Sequence, residues 1–173
     1  MKRFLLIPLA CLFLTLPAFN QTVDERGYIV KVGQTVPDFK IKFQDGKVMD
    51  IKDLRGKVVM LQFTASWCGV CRKEMPFIES DIWNVYKDRG LKLFGIDRGE
   101  PLEKVKEFTS QMKITYPLVL DEDSGIFTLF ADKAAGVTRN ILVDRDGKMV
   151  YLTRLYDEAE FEGLKKKIAE LMK

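Results

Sequence analysis

Apolar residues along this 173-residue chain fall alternately into short runs and into stripes at helical spacing. Lys57 to Thr64 (carrying Val58, Val59, Met60, Leu61 and Phe63) and Leu91 to Ile96 are apolar runs of strand length, the pattern of strands buried on both faces. Phe39 to Phe43 and Val48 to Ile51 flank Gln44-Asp45-Gly46-Lys47. Asn140 to Val143 and Met149 to Leu152 flank Asp144-Arg145-Asp146-Gly147. Asp-Gly between such runs predicts a hairpin in both places. From Cys71 to Tyr86, Ile78, Ile82 and Val85 or Tyr86 recur at helical spacing, and Pro76 inside this segment predicts a kink. Pro101 opens a second helix in which Leu102, Val105 and Phe108 share a face. Glu158 to Met172 forms a third, with Phe161, Leu164, Ile168 and Leu171 as its stripe. Between them, Tyr116 to Leu120 reads as extended and Ser124 to Phe130 as a short helix. Val32 to Asp38 reads as an extended lead-in broken by Gly33 and Pro37, and Asp53-Leu54-Arg55-Gly56 as a turn. Strands separated by helices, then a hairpin and a last helix, predict an α/β fold: a mixed central sheet with helices on both faces. The stripes read as core.

The first residues change the accounting. Lys2 and Arg3 precede an apolar stretch from Phe4 to Leu16, and Leu16-Pro17-Ala18 offers a small-residue cleavage site, the organisation of an export signal. The stretch is shorter than the ~20 apolar residues of a membrane span, and Pro8 and Pro17 interrupt it. An uncleaved anchor, or a lipid anchor at Cys11 within Pro8-Leu9-Ala10-Cys11, are the alternatives. The division is therefore 1–18 as signal, 19–31 as lead-in and 32–173 as one domain. Losing Lys2 and Arg3 lowers the net charge from +3 to +1. Such a balanced surface, without a basic run, gives no electrostatic footprint for nucleic acid. A monomer is expected.

Chemistry concentrates in Trp67-Cys68-Gly69-Val70-Cys71, where a predicted strand meets a predicted helix. A thiolate at a helix N-terminus faces unpaired N–H groups and the positive end of the macrodipole, which lower its pKa. The second thiol, one turn on, shares its face and can close a disulfide with the first. The chain has no histidine. That excludes C-x-x-C-H haem attachment (position 72 is Arg72), mixed Cys/His zinc sites and His-dependent nucleophile systems. Four-cysteine zinc is excluded as well, because only three cysteines exist. An oxidising compartment would hold the remaining pair as a disulfide unless another protein reduces it.

Val32-Gly33-Gln34-Thr35-Val36-Pro37-Asp38-Phe39, Asp45-Gly46, Leu54-Arg55-Gly56-Lys57, Phe63 through Pro76 and Asp144-Arg145-Asp146-Gly147-Lys148 together resemble the TlpA-like and ResA-like exported thiol–disulfide oxidoreductases. These belong to the thioredoxin superfamily and carry an AhpC-TSA/redoxin-type domain. The resemblance implies a thioredoxin-like fold with an N-terminal β-hairpin extension. It makes Cys68 the attacking thiol, Cys71 the resolving thiol and Trp67 a cover over the pair, and Pro76 is taken with Trp67, Gln62 and Glu74 as support of the active site. It implies no cofactor beyond the Cys68–Cys71 disulfide. The implied partners are protein thiol or disulfide substrates and an upstream electron donor. A peroxidase of the peroxiredoxin type would need a hydroxyl residue three positions before its cysteine, where Ala65 and Cys68 stand instead. Copper-delivery relatives use a longer cysteine spacing and a histidine, both missing. The rival of another class is a non-catalytic redoxin-like domain that binds a partner and keeps an idle disulfide.

Three positions set this chain apart. Gln62 stands where thioredoxins place a buried aspartate, and it cannot ionise. Glu74 matches a glutamate near the ResA-like active site, against the simpler alternative of a solvent-facing helical carboxylate. Thr138 replaces the cis-proline that thioredoxin-like proteins place opposite C-x-x-C, so the Val137–Thr138 bond is expected to be trans, with Val137, Thr138 and Arg139 forming an altered substrate-binding loop. A slow, partner-selective disulfide reductase is the resulting expectation, since Gly69-Val70 supplies no charge to stabilise a strongly oxidising thiolate.

Overall fold

The computed structural model describes residues 23–173. The expected export signal, Cys11 and the start of the expected lead-in lie outside them. Seven strands form one sheet: β1 (Lys40–Phe43), β2 (Val48–Asp50), β3 (Val59–Thr64), β4 (Lys92–Arg98), β5 (Leu118–Asp121), β6 (Arg139–Val143) and β7 (Met149–Arg154). Their order is β2-β1-β5-β4-β3-β6-β7. β3, β4 and β5 are parallel neighbours at the centre, and the two expected hairpins, β1-β2 and β6-β7, close the sheet at its two edges as antiparallel pairs.

β3 and β4 are buried almost throughout, as their apolar runs require. Alternation along β3 sorts its side chains between two core layers. Val59, Leu61 and Phe63 enter one, and Met60 enters the other. The three long helices α1 (Gly69–Phe77), α3 (Leu102–Met112) and α4 (Glu158–Leu171) pack on the Met60 side through Met75, Val105, Phe108, Phe161, Leu164 and Ile168. Parallel crossovers between β3, β4 and β5 share one handedness and progress in one direction, so α1 and α3 fall on the same face. The opposite face is covered by two 3₁₀ turns, Ile51–Leu54 and Phe127–Leu129, and by the lead-in through Tyr28, Val30, Val36 and Phe39. The segment read as a helix over Ser124 to Phe130 is thus a turn leading into 3₁₀. Within the last stripe Leu171 is only partly buried, and Met172 is buried beside it.

Pro76 has the predicted effect on the first helix. It removes an N–H donor inside α1, and the chain then widens into a π segment, Ile78–Trp83, before one α-turn, α2 (Asn84–Tyr86), and a 3₁₀ turn, Lys87–Arg89. Gly95, in β4, is a close approach. A Cβ there would collide with Leu118 and lie 3.3 Å from the Tyr116 ring.

Candidate active site

The buried strand β3 ends at Thr64, and four residues later Cys68 caps α1. Cys68 is extended in backbone conformation, and its Sγ accepts a hydrogen bond from the Cys71 backbone N–H at 3.2 Å. A sulfur thus takes the place that Ser or Asp holds in ordinary N-caps, one of the orphan donors of the helix being spent on it. Cys68 and Cys71 are joined as a disulfide. Cys68 keeps 7% of its surface exposed and Cys71 none. Trp67 lies beside them on the surface, 65% exposed.

The loop carrying Trp67 is clamped from two sides. Glu100 accepts hydrogen bonds from the Ser66 backbone N–H at 2.5 Å and from its hydroxyl at 2.6 Å. Arg72 donates through Nε to the Ser66 carbonyl at 2.7 Å and lays its guanidinium over the Phe108 ring, 4.9 Å from the centroid. Beside Glu100, Asp97 is completely buried, and no donor among the described residues reaches either of its carboxylate oxygens. Burial, and then the negative charges of Glu100 and Asp121, push its carboxyl up to about 8.

Thr138 closes the other side. Its hydroxyl lies 3.2 Å from Cys68 Sγ and 3.3 Å from Cys71 Sγ, and the residue is 2% exposed. No cis peptide bond occurs among the described residues, so Val137–Thr138 is trans. The Thr138 carbonyl accepts from the Leu155 N–H at 3.2 Å and from Arg154 Nη1 at 3.4 Å, extending the β6-β7 ladder to the disulfide. Val137, next to it, is buried in the apolar layer that also holds both cysteines.

Beneath α1, the sheet presents polar atoms where a core would be apolar. Gln62 and Asn140 face each other across β3 and β6. Asn140 Nδ2 donates to Glu74 Oε1 at 2.6 Å and to Thr153 Oγ1 at 3.0 Å, and the Tyr116 hydroxyl donates to Gln62 Oε1 at 2.8 Å. Glu74, one turn after Cys71, is 1% exposed and has no cation beside it. Burial pushes its carboxyl up to about 7, against the opposite pull of Asn140 and the Gln62 amide. The solvent-facing alternative for Glu74 is therefore wrong: this turn of α1 presses onto the sheet.

Arg139 also differs from a surface cation, and it does not face the sulfurs. It is fully buried in β6, its Nη2 donates to the Arg26 carbonyl at 2.8 Å, and its guanidinium lies 4.4 Å from the Tyr28 ring centroid. The lead-in has folded back over it, latched by the Tyr28 hydroxyl donating to the Thr153 carbonyl at 2.6 Å. Pro76 is exposed and shapes α1 without lining the site. Of the residues anticipated from sequence, then, Cys68, Cys71, Trp67, Val137 and Thr138 surround the disulfide, Gln62 and Glu74 lie below it, and Arg139 and Pro76 stand apart. Asn140, Thr153, Tyr116, Asp97 and the Glu100–Ser66 clamp were not anticipated. Only Asp97 and Asn140 carry a sequence signal, as polar residues at the ends of apolar runs.

A buried, capped C-x-x-C disulfide on a strand-to-helix turn does thiol–disulfide exchange, and the comparisons agree. Residues 32–152 match the AhpC/TSA family model. The chain belongs to the AhpC/TSA family. It is 31% identical to the thiol-disulfide oxidoreductase ResA of Bacillus thuringiensis (strain Al Hakam) over 140 residues, 80% of this chain and 79% of that one. It is 28% identical to ResA of Bacillus subtilis (strain 168) over 153 residues, 86% and 84% of the two chains. Among solved structures, a candidate protein disulfide isomerase from Bacteroides thetaiotaomicron superposes with TM-score 0.82 at 58% identity, covering 84% of this chain and 92% of its own. A candidate thiol:disulfide interchange protein DsbE from Chlorobium tepidum gives 0.73 at 26% identity, covering 83% and 99%. The protein is a thiol–disulfide oxidoreductase with a thioredoxin-like fold. Among the described residues no cluster of three or more His, Cys, Asp or Glu side chains could hold a metal ion, and no helix is long and apolar enough to cross a membrane.

Proposed function

We propose that this protein is an exported disulfide reductase that works on protein substrates by way of a Cys68 mixed disulfide. The observation that carries the reading is the asymmetry of the pair: Cys68 caps α1 with an edge in solvent, while Cys71 is sealed behind it. A substrate sulfur can reach only the first. In the reduced protein the Cys68 thiolate attacks a substrate disulfide, forming one S–S bond and releasing the other substrate sulfur as a thiolate. Cys71 then gives up its proton and attacks Cys68, freeing the second substrate sulfur. The substrate gains two electrons and two protons, and the protein is left with its disulfide.

Glu74 is the proton acceptor this reading assigns to Cys71. A carboxyl held near 7 takes and returns a proton at neutral pH, where an ordinary carboxylate would not hold it. Trp67 offers an apolar surface beside Cys68, and the trans loop at Val137–Thr138 narrows the range of substrates. A separate donor must return the electrons, because each turnover leaves the Cys68–Cys71 pair oxidised. The N-terminal apolar run of the sequence supports a location outside the cytoplasm, the domain being freed by cleavage or held by an anchor.

Replacing Cys71 with Ser tests the exchange route. Cys71→Ser should accumulate a mixed disulfide at Cys68 with a model substrate such as insulin, while the wild type turns insulin over. Absence of both trapping and turnover would leave the idle, partner-binding domain as the better reading. Equilibration with glutathione tests the direction. A potential nearer that of thioredoxin (about −270 mV) is expected, and one close to that of DsbA (about −120 mV) would reverse it.

A further inference from the structure

We infer that Thr138 is a catalytic hydrogen-bond donor that lowers the energy of the thiolate on whichever active-site sulfur carries the charge. The inference rests on the exchange chemistry of Proposed function but uses a different observation. The Thr138 hydroxyl sits almost midway between Cys68 Sγ and Cys71 Sγ, at 3.2 and 3.3 Å. Sulfurs joined in a disulfide carry no hydrogen, so the hydroxyl is the donor to both. A neutral disulfide sulfur is a weak acceptor, whereas a thiolate accepts a charge-assisted bond roughly twice as strong as a neutral one. The same contact is therefore worth more to a thiolate than to the neutral thiol or the disulfide, so it raises the fraction of attacking thiolate present at a given pH.

Three features keep the hydroxyl at this task. Thr138 is 2% exposed, so water does not compete for the thiolate from its side. Its carbonyl is fixed by Leu155 and Arg154, which ties the residue to the end of the β6-β7 ladder, one position before β6. Its position between the sulfurs lets the bond follow the charge. It stabilises Cys68 before attack, and Cys71 once Cys68 has become part of the mixed disulfide and Cys71 has lost its proton. The Cys71 N–H and the α1 terminus stabilise charge at Cys68 alone, so the second half of the reaction depends more on Thr138. A proline at this position carries no such donor.

Thiolate titration of the reduced protein, followed by absorbance at 240 nm and by the pH dependence of Cys68 alkylation, decides the matter. Thr138→Val keeps the shape and removes the donor. It should raise the Cys68 pKa by about one unit, a tenfold loss of thiolate below neutral pH, and shift the glutathione equilibrium toward disulfide by up to about tenfold, or ~30 mV. Thr138→Ser, which retains the hydroxyl, should titrate like the wild type. Both variants should keep the wild-type urea midpoint within the effect of one buried hydroxyl. A Thr138→Val protein that titrates with the wild type overturns the inference. If that variant does not fold, Thr138→Ala replaces it. If neither folds, proton NMR of the reduced wild type decides: an NOE from a slowly exchanging Thr138 hydroxyl to the Cys68 β-protons supports the bond, and a side chain rotated away from both sulfurs refutes it. The titration needs no substrate, so it reads Thr138 even if insulin is not turned over. Turnover of insulin with an unshifted Thr138→Val titration rejects this inference alone.

Discussion

Glu74→Gln should remove most of one pH-dependent loss of stability from this protein. The unfolded chain ionises Glu74 near 4.5, whereas burial holds the folded carboxyl near 7. Between those values the folded state keeps a proton that the unfolded state has released. Stability therefore falls as pH rises through this window and levels off above it, the opposite sign from a salt-bridged carboxylate. Integrating between pH 5 and pH 8 gives a loss of about 2.5 kcal/mol from this one residue. The amide variant cannot ionise and keeps an oxygen for Asn140 Nδ2, which donates to Glu74 Oε1 at 2.6 Å.

Urea unfolding of the two oxidised proteins at pH 5 and pH 8 measures the difference. The variant should gain about 2.5 kcal/mol relative to the wild type on going from pH 5 to pH 8. Asp97, raised in the same sense, is present in both proteins and cancels. A relative change below about 0.5 kcal/mol, the usual non-additivity of independent sites, would mean that Glu74 is ionised within the fold at neutral pH. The proton-acceptor role assigned to it would then lose its basis.

Limiting alkylation of the reduced protein should label Cys68 ahead of Cys71, since only Cys68 has exposed surface and a helix terminus to stabilise its thiolate; label mapped chiefly to Cys71 would exchange the two roles. Gly95→Ala should destabilise the protein by about 1–3 kcal/mol in urea, because the added methyl meets Leu118 and crowds the Tyr116 ring that holds Gln62, and an unchanged midpoint would contradict the packing described.

What the sequence made legible was local. The apolar runs of β3 and β4, the two Asp-Gly hairpins and the Pro76 irregularity depend on residues close in the chain, and each has an observed counterpart. What escaped was decided by pairings across long separations. Arg139 looks like any surface cation until the lead-in returns 113 residues away to supply the Arg26 carbonyl and the Tyr28 ring. Glu74 stands between exposed Lys73 and buried Met75, so one turn of helix contains both readings. Its burial follows from how α1 lies on the sheet. Asn140 becomes its partner only because β6 pairs with β3 in the register that sets Asn140 opposite Gln62.

The three departures from thioredoxin belong to one redistribution of chemistry around the disulfide. In thioredoxins the ionisable group beneath the cysteines lies on the strand. Here the strand position is Gln62, fixed by Tyr116, and the titrating carboxyl has moved to Glu74 on the helix that carries Cys71. Any shift of α1 on the sheet then carries acceptor and thiol together, which preserves their spacing where a strand-borne acid would lose it. Opposite the pair, the ring that thioredoxins place there has given way to a hydroxyl within reach of both sulfurs. The donor comes from Thr138, one residue before β6, and the acceptor from Glu74 on α1, the helix that also carries Cys71. In the proposed mechanism the first stabilises the charge on sulfur, and the second receives the proton whose loss creates it. Such a division predicts that the effects of Thr138→Val and Glu74→Gln on the resolving step are coupled. Both act on the Cys71 thiolate, so the double variant should lose less than the product of the single losses in rate. Strict multiplication of the two single effects would mean that the groups serve separate steps.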